Sequence, residues 1–490
     1  MSFKIAVNFL LLIPLSQFKI TLADSENLIL PEQVHITLAD RPDSILVQWV
    51  TLQPVASDSF VEYGKDPNKL NLKQPASVDL FVFNNVKRYM FTAEMIKLDY
   101  NYRVGSQNAM SKVFQFKTFP DAIDFPFKVL VFGDLGLQNG VSAPYLLESA
   151  QKREFDLAIL VGDISYDLHA QDGHVGDVFM RQMEPFFAQI PLLVIAGNHE
   201  DDGKNFSNYR YRFNMPQDPF GDSQVYSFDL GPIHWLGIST EYYGYFYEYG
   251  QESVHNQYRW LKEDLKAAHA NRLKRPWIVS FQHRPFYCSN SNSYECESFE
   301  NTLVRVGFED MPGLEDLFVE YGMDLGFWGH EHSCESFHCE FLFNERFFPI
   351  SRRYVYNLTE KPYENALAPT YIITGSAGCH TPDAEFDEQH PVPGSVKRST
   401  DYGYTMLHVK NRTHLYIEQI SVVTAQPKVI DSLWLTKTQW HAPTADKALK
   451  ELAFAFPPYE SSQYCNMNDP RCRHKREVRM RKKRESVKQK

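Results

Sequence analysis

Beyond its first two dozen residues, the 490-residue chain lacks any apolar run of the roughly twenty residues that a bilayer-spanning helix needs, so no transmembrane segment is expected. It also lacks a basic body. The formal charge is −11, and the segment Arg471 to Lys490 alone carries eleven Lys/Arg against two Glu, which leaves about −20 on residues 1–470. An acidic body argues against a nucleic-acid-binding face, and no nucleic-acid partner is expected. The basic tail, residues 471–490, reads as a disordered, protease-sensitive end, with contact to anionic surfaces as the alternative. Cysteine is sparse and odd in number. Of seven, Cys288 with Cys296 and Cys465 with Cys472 have the short spacing of loop staples, which leaves Cys334, Cys339 and Cys379 and at least one thiol unpaired within the chain. No internal repeat is present beyond a recurring order of strand, then polar donor.

What is present begins with a leader. Met1 to Ala23 has Lys4 near its start, an apolar stretch from Ile5 to Leu15 and Thr21-Leu22-Ala23 as a small-residue cleavage site, the pattern of a secretory signal peptide over residues 1–23. A membrane anchor fits less well, because Pro14, Ser16 and Gln17 interrupt a short apolar core. Three Asn-x-Ser/Thr triplets, at Asn205, Asn357 and Asn411, are glycan acceptors in keeping with export. A secreted or lysosomal glycoprotein is the expected destination.

Residues 25–120 alternate apolar and polar positions in short runs such as Gln33 to Leu38 and Ser44 to Val50, separated by Asp, Pro and Asn. That is the rhythm of a β-sandwich, with Trp49 expected between its sheets. Leu98 to Val104 and Val113 to Thr118 read as its late strands, and nothing in it looks catalytic. From Phe127 apolar strands alternate with helical stretches, the sign of βαβ-type units over residues 125–435. Pro144 to Arg153, Gly176 to Gln189 and His255 to Ala270 have the length and spacing of covering helices. Pro216 to Asp222 and the aromatic Tyr242 to Tyr249 read as loops. Ser223 to Ser239, Thr370 to Gly375 and Tyr402 to Ser421 read as further strands of a two-layered core. Residues 436–470 form a C-terminal extension.

Five of the apolar strands end alike. They lead to Gly133-Asp134, Gly162-Asp163-Ile164-Ser165-Tyr166, Gly197-Asn198-His199-Glu200, Gln282-His283-Arg284-Pro285 and Gly329-His330-Glu331-His332. Asp134, Asp163, Tyr166, Asn198, His283, His330 and His332 are thereby expected together at one edge of one sheet, where open α/β sheets bind ligands. Seven oxygen and imidazole donors suit two adjacent metal ions, with Asp163 able to bridge both. Taken singly, each has a plainer role, as a turn residue, a helix cap or a hydrogen-bonded buried histidine. Seven such groups at five strand ends argue for cations, because buried charge at that density must be offset.

These blocks resemble the five metal-binding blocks of the purple acid phosphatases, within the calcineurin-like metallophosphoesterases. Thr374-Gly375-Ser376-Ala377-Gly378-Cys379, Asp401-Tyr402-Gly403-Tyr404 and the amino-terminal sandwich extend the likeness to the long animal and plant forms. The resemblance implies a four-layer α-β-β-α sandwich of the α/β class behind an all-β, fibronectin III-like domain. It implies that Asp134, Asp163, Tyr166 and His332 hold Fe(III), while Asp163, Asn198, His283 and His330 hold a divalent ion, iron, zinc or manganese. A coloured tyrosinate complex and attack of a metal-bound hydroxide on a phosphate monoester at this binuclear centre follow from the same likeness. His199, beside Asn198, is the candidate catalytic residue, and both are candidate phosphate contacts. An outward-turned loop histidine is the alternative for His199.

Two departures stand out. Plant-type enzymes carry further histidines soon after the His-Arg-Pro block, and Phe286 to Phe308 contains none. After Gly-His-Glu-His the family continues with an aromatic residue and Glu-Arg, where this chain has Ser333-Cys334-Glu335-Ser336. Cys334 either lies near the metals as a thiol or joins Cys339 or Cys379. The expected activity is a metal-dependent acid phosphatase acting on a small phosphate ester. A calcineurin-like phosphodiesterase or nucleotidase is the nearest alternative, disfavoured by Gly136 where that group has histidine. A non-catalytic secreted binding protein is the other alternative, since a sandwich of this kind often serves adhesion.

Overall fold

The computed structural model describes residues 27–41, 43–96, 100–289, 299–332, 344–379, 392–438, 441–443 and 453–455. The leader, the basic tail, most of the C-terminal extension, and Cys296, Cys334, Cys339, Cys465 and Cys472 lie outside the described residues, as does the start of the expected strand Leu98 to Val104.

The amino-terminal part is an all-β sandwich. Strands Glu32–Leu38, Ser44–Thr51, Val86–Ile96 and Ser77–Phe83 make one antiparallel sheet, and a second is built around Ser59–Gly64 and Tyr100–Ser106. Val47, Trp49, Val61, Phe91 and Tyr102 from both sheets share one buried cluster, and Trp49 stacks on Phe91 with ring centroids 5.3 Å apart. Each such fully buried apolar side chain stabilises the fold by about 1.5–3 kcal/mol. The polar positions of Glu32–Leu38 and Ser44–Thr51 are not turned to solvent as the alternation suggested: His35, Thr37 and Gln48 are buried too, so these strands are covered on both faces.

The larger part contains two mixed sheets. Six strands run in the order Leu192–Val194, Leu157–Leu160, Phe127–Phe132, Gly403–Asn411, His414–Ser421, Lys428–Thr436. Seven run in the order Tyr226–Leu230, Ile233–Ile238, Trp277–Gln282, Leu325–Trp328, Thr370–Thr374, Asn344–Phe347, Ser395–Ser399. The pleat explains how they stack. Trp235, Val279, Phe281 and Phe327 pack in one buried cluster with Val129 and Val131 of the first sheet. Leu236, Ile278 and Trp328, one residue out of phase, pack with Leu261, Leu265 and Leu317 of the helices Glu252–Ala270 and Glu315–Tyr321. A strand buried on both faces reads as a continuous apolar run, and its odd and even residues serve different layers. Helices Ala143–Gln151 and His174–Phe187 cover the other sheet, completing the four layers α-β-β-α.

The covering helices fall within a few residues of the expected bounds, but two expectations are corrected. Tyr242 to Tyr249 is not a loop: it forms two short helices, Glu241–Gly244 and Phe246–Tyr249, because its aromatic side chains bury against the second sheet's outer face. The five donor-bearing strand ends do not belong to one sheet. Phe127–Phe132, Leu157–Leu160 and Leu192–Val194 are parallel neighbours in the first, whereas Trp277–Gln282 and Leu325–Trp328 are parallel neighbours in the second. Their carboxyl ends converge because the two sheets stack face to face.

Far from that convergence, His234 is clamped between two carboxylates, with Nδ1 2.9 Å from Asp229 and Nε2 2.7 Å from Asp264. Burial works to lower its pKa, but the hydrogen bonds to Asp229 and Asp264 outweigh it and raise it to about 9. A histidine pKa raised on folding stabilises fully below its unfolded value, and this contribution disappears as pH rises through the folded one. His234→Gln is therefore expected to lower Tm by a few degrees near pH 5.5 and by much less near pH 9.5, reflecting at most about 3 kcal/mol. Thermal melts across that range check it; an equal loss at both ends would mean that packing alone is at stake.

Candidate metal centre

The seven donors meet where the two sheets converge. Asp134, Asp163, His283 and His332 are buried, with Asp134, Asp163 and His283 at zero exposure. The ligand atoms of Asp163, His283 and His330 lie within 4.8 Å of one another, and so do those of Asp134, Asp163 and His332. Asp163 is common to both groups. Asn198 Oδ1 lies 3.1 Å from His283 Nε2, beside the first group. Tyr166 joins the second: its hydroxyl is 3.4 Å from Asp134 Oδ1 and its ring centroid 5.7 Å from that of His332.

Local sequence makes this approach possible. Asp134, Asp163 and His330 each take positive φ, at 60°, 52° and 70°, which turns the chain sharply at the strand end. Glycine supplies the clearance at two points. A Cβ on Gly197 would fall 2.2 Å from Asp163 Oδ1, and one on Gly162 (φ 91°) would fall 2.5 Å from His283 Nδ1. The two aspartate turns are also laced together, since Leu135 pairs with Ile164 and Asp134 N donates to Gly162 O at 3.1 Å.

Supporting groups fix the donors. His283 Nδ1 lies 2.8 Å from Val161 O, so Nδ1–H donates there and Nε2 is left to face Asp163, Asn198 and His330. The buried Glu200 carboxylate accepts from Asp163 N and Ile164 N at 2.8 Å each and from Gly197 N at 2.7 Å, tying together two donor-bearing turns. Arg284, held by two bonds from Nε and Nη2 to Glu241, places Nη1 3.3 Å from His330 Nε2. Tyr245 OH donates to Asn198 O at 2.9 Å. His199 N donates to Asp163 Oδ1 at 3.0 Å, and its ring, with an exposed edge, sets Nδ1 2.9 Å from Asp167 Oδ1 and lies 4.6 Å from the Tyr166 ring.

Asp167, Glu200 and Glu241 were not among the residues singled out from sequence. Glu200 carried a signal, as a glutamate three positions after a glycine, the spacing at which a carboxylate reaches back to the backbone N–H at a helix start, as it does to Gly197 N. Asp167 and Glu241 carried none, because their partners His199 and Arg284 lie 32 and 43 residues away.

The electrostatics call for cations. Burial pushes the Asp134 carboxyl well above its ordinary range. Burial acts on Asp163 in the same sense, but His283 and His199 overcome it and hold Asp163 below its usual range. Burial opposes the charging of His283 too, and Asp163 reverses this and favours the protonated ring, so a metal ion at Nε2 would take the place of that proton. His332, lowered to about 3 by burial, is the neutral imidazole that a metal ligand must be. Asp163 Oδ2 is buried with no hydrogen-bond partner among the described residues. An acceptor so placed, amid oxygen and imidazole donors of mixed hardness, fits two ions of the iron and zinc kind.

Known proteins of similar sequence and structure bear on this geometry. Three family models match in series: "Purple acid Phosphatase, N-terminal domain" over residues 31–118, "Calcineurin-like phosphoesterase" over 127–334 and "Iron/zinc purple acid phosphatase-like protein C" over 368–432. Human acid phosphatase type 7 is 40% identical over 420 residues, which are 83% of this chain and 91% of that protein. The Fe(3+)-Zn(2+) purple acid phosphatase 12 of Arabidopsis thaliana is 27% identical over 432 residues, 84% of this chain and 86% of that one. A solved purple acid phosphatase from yellow lupin (Lupinus luteus) seeds superposes with a TM-score of 0.68 at 22% identity, covering 88% of this chain and 78% of its own. With all five strand-end blocks gathered at one buried centre and relatives matched across most of their length, the chain belongs to the purple acid phosphatase family.

Proposed function

We propose that this protein is an acid phosphatase that hydrolyses phosphate monoesters at a binuclear metal centre. The observation that carries the proposal is the sharing of Asp163 by two donor groups. Asp134, Asp163, Tyr166 and His332 would hold Fe(III), and Asp163, Asn198, His283 and His330 a divalent ion, zinc being the one named for the Arabidopsis relative. When bound, such a pair supplies charge to neutralise phosphate oxygens and to acidify water to a nucleophile.

The chain's own groups do the rest. Asp163 and Asp134 would supply the negative charge that holds such cations. Asn198 and His199, next to each other in the short 3-10 turn Asn198–Glu200, are the phosphate contacts. His199 serves as proton donor to the leaving oxygen. Burial would lower its pKa, but Asp163 and the hydrogen bond to Asp167 raise it, and Asp167, 2.9 Å from Nδ1, is the partner that favours a protonated ring here. Asp167 holds Nδ1, which leaves Nε2 as the nitrogen facing the substrate.

The remaining assignments follow from the same reading. The division at residues 25–120 and 125–435 accords with the family-model ranges, and the sandwich is read as fibronectin III-like. Secretion or lysosomal residence is supported by the leader sequence and by exposed Asn205 and Asn357; Asn411 is half-buried and uses its side-chain oxygen to hold Thr413. No helix among the described residues is long and apolar enough to cross a membrane. A Cys288–Cys296 staple would close the loop after His283, and the burial of Cys288 supports that reading.

Three measurements test the reading. Asp163→Ala is expected to lose both metals by elemental analysis, and retention of two ions would remove its bridging role. His199→Ala should keep both metals while kcat on p-nitrophenyl phosphate falls by about 10²–10⁴-fold; an unchanged kcat would show that the ring does not handle the proton. The iron-loaded protein should absorb in the visible, and Tyr166→Phe should abolish that band. A band that survives the substitution sinks the tyrosinate assignment.

A further inference from the structure

Asp163 to Gly173 is the most contorted segment near the metal centre. Asp163, Ser165, Tyr166, Asp167, Gln171 and Asp172 have φ of 52°, 65°, 52°, 72°, 52° and 58°, and Gly173 has 88°. A non-glycine residue in this region costs about 1–2 kcal/mol, so the segment keeps its shape only where outside contacts over-determine it. Near its start the contacts are the backbone bonds to Glu200. Near its end they come from the amino-terminal sandwich. Arg88, wholly buried on the strand Val86–Ile96, donates from Nη2 to Asp172 O at 2.9 Å, and its Nε and Nη2 bond Asp177 at 2.8 and 2.7 Å. Asn84, in the turn before that strand, donates to Asp172 Oδ1 at 3.0 Å. Arg212 completes the grip, with Nη2 3.0 Å from Gly173 O and 2.9 Å from Asp177 Oδ1.

The sequence is shaped around this grip. A Cβ on Gly173 would lie 2.7 Å from Arg88 Nη2, so the guanidinium occupies the room that glycine leaves. Two buried guanidiniums share one buried carboxylate, an arrangement whose desolvation is costly and which apolar packing could replace without loss of stability. A planar guanidinium fork, unlike apolar packing, fixes the position of the carbonyl it binds. Between the two anchored ends lie Tyr166 and Asp167, and Asp167 holds His199 at 2.9 Å.

We propose that Arg88 and Asn84 of the amino-terminal sandwich are positioning residues for hydrolysis: by holding Asp172 and Gly173 they keep the strained segment in the shape that sets Asp167 against His199. The sandwich is then part of the scaffold of the centre without touching substrate. This rests on the phosphatase reading given above.

The test uses the full-length protein and the variants Arg88→Lys, Asn84→Ala and Val47→Ala, with kcat and KM on p-nitrophenyl phosphate, Tm, and hydrogen exchange of peptides spanning 167–173. Arg88→Lys keeps the charge but loses the fork, and is expected to lower kcat by about 10–100-fold with little change in KM, while exchange in 167–173 rises. Asn84→Ala, at an exposed contact, should lower kcat by about 2–5-fold with a smaller rise in exchange. Val47→Ala, which thins the core of the same sandwich, should lower Tm and leave both readouts alone. Wild-type kcat in Asn84→Ala and Arg88→Lys, or loosened exchange without loss of kcat, overturns the proposal. So does an equal loss of kcat in Val47→Ala. A wild type that turns over no phosphate monoester sinks the phosphatase reading instead, and the exchange data still report whether the grip exists.

Discussion

A carboxylate with zero exposure, Asp163, sits at the seam of two stacked sheets, and much of the local architecture exists to make its charge tolerable. Stripping an isolated carboxylate of water is so unfavourable that it would be expected to neutralise. Here the carboxylate is kept ionised by His283 at 3.3 Å and by the His199 backbone N–H at 3.0 Å, and one of its oxygens is left without a hydrogen bond among the described residues. That balance accommodates added positive charge. It also explains why the neighbouring Asp134 is pushed toward its neutral form while Asp163 is not: Asp134 has burial and the charge of Asp163 against it.

Two sheets accomplish what one cannot. Adjacent parallel strands in one sheet are about 4.8 Å apart, so donors at successive strand ends spread along a line. Stacking a second sheet opposite brings His283 and His330 over Asp163 and Asn198, and a line becomes a cage. The cage then demands close backbone approach, and Gly162, Gly197 and Gly329 stand where any Cβ would strike a donor-bearing side chain or its backbone. For Gly162 and Gly329 the obstacle belongs to the other sheet, His283 and Asp134 respectively, and for Gly197 it is Asp163 on the neighbouring strand.

This is why the centre was legible in the sequence and its surroundings were not. The donors sit directly after apolar runs, so a strand pattern and a residue type locate each of them, and the covering helices follow from their periodicity. The pairing of strands into sheets is a non-local property, and nothing in the runs at Leu157 to Val161 or Trp277 to Phe281 says that they belong to different sheets. The helices at Glu241–Gly244 and Phe246–Tyr249 were hidden for a related reason: a run of aromatic residues has no polar face to give it a period, and its burial is decided by tertiary packing. Glu241 and Asp167 look like ordinary loop acids until Arg284 and His199 are brought beside them.

Arg88 is the sharpest case of that invisibility. In the sequence it is one basic residue on an alternating strand, where a surface position is the natural assignment; in the fold it is fully buried against another domain. Its partners explain the inversion. Asp177 opens toward the sandwich from the first turn of its helix, and the left-handed turn at Gly173 exposes carbonyls that require a donor. A hydrophobic residue at position 88 could fill the same volume but would take a donor from Asp172 O and break the buried ion pair with Asp177, and a buried charge left short of a partner costs more than the about 1–3 kcal/mol of a neutral group. The interface therefore selects a long, planar, permanently charged side chain, and in doing so it couples the placement of the β-sandwich to the segment that carries Tyr166.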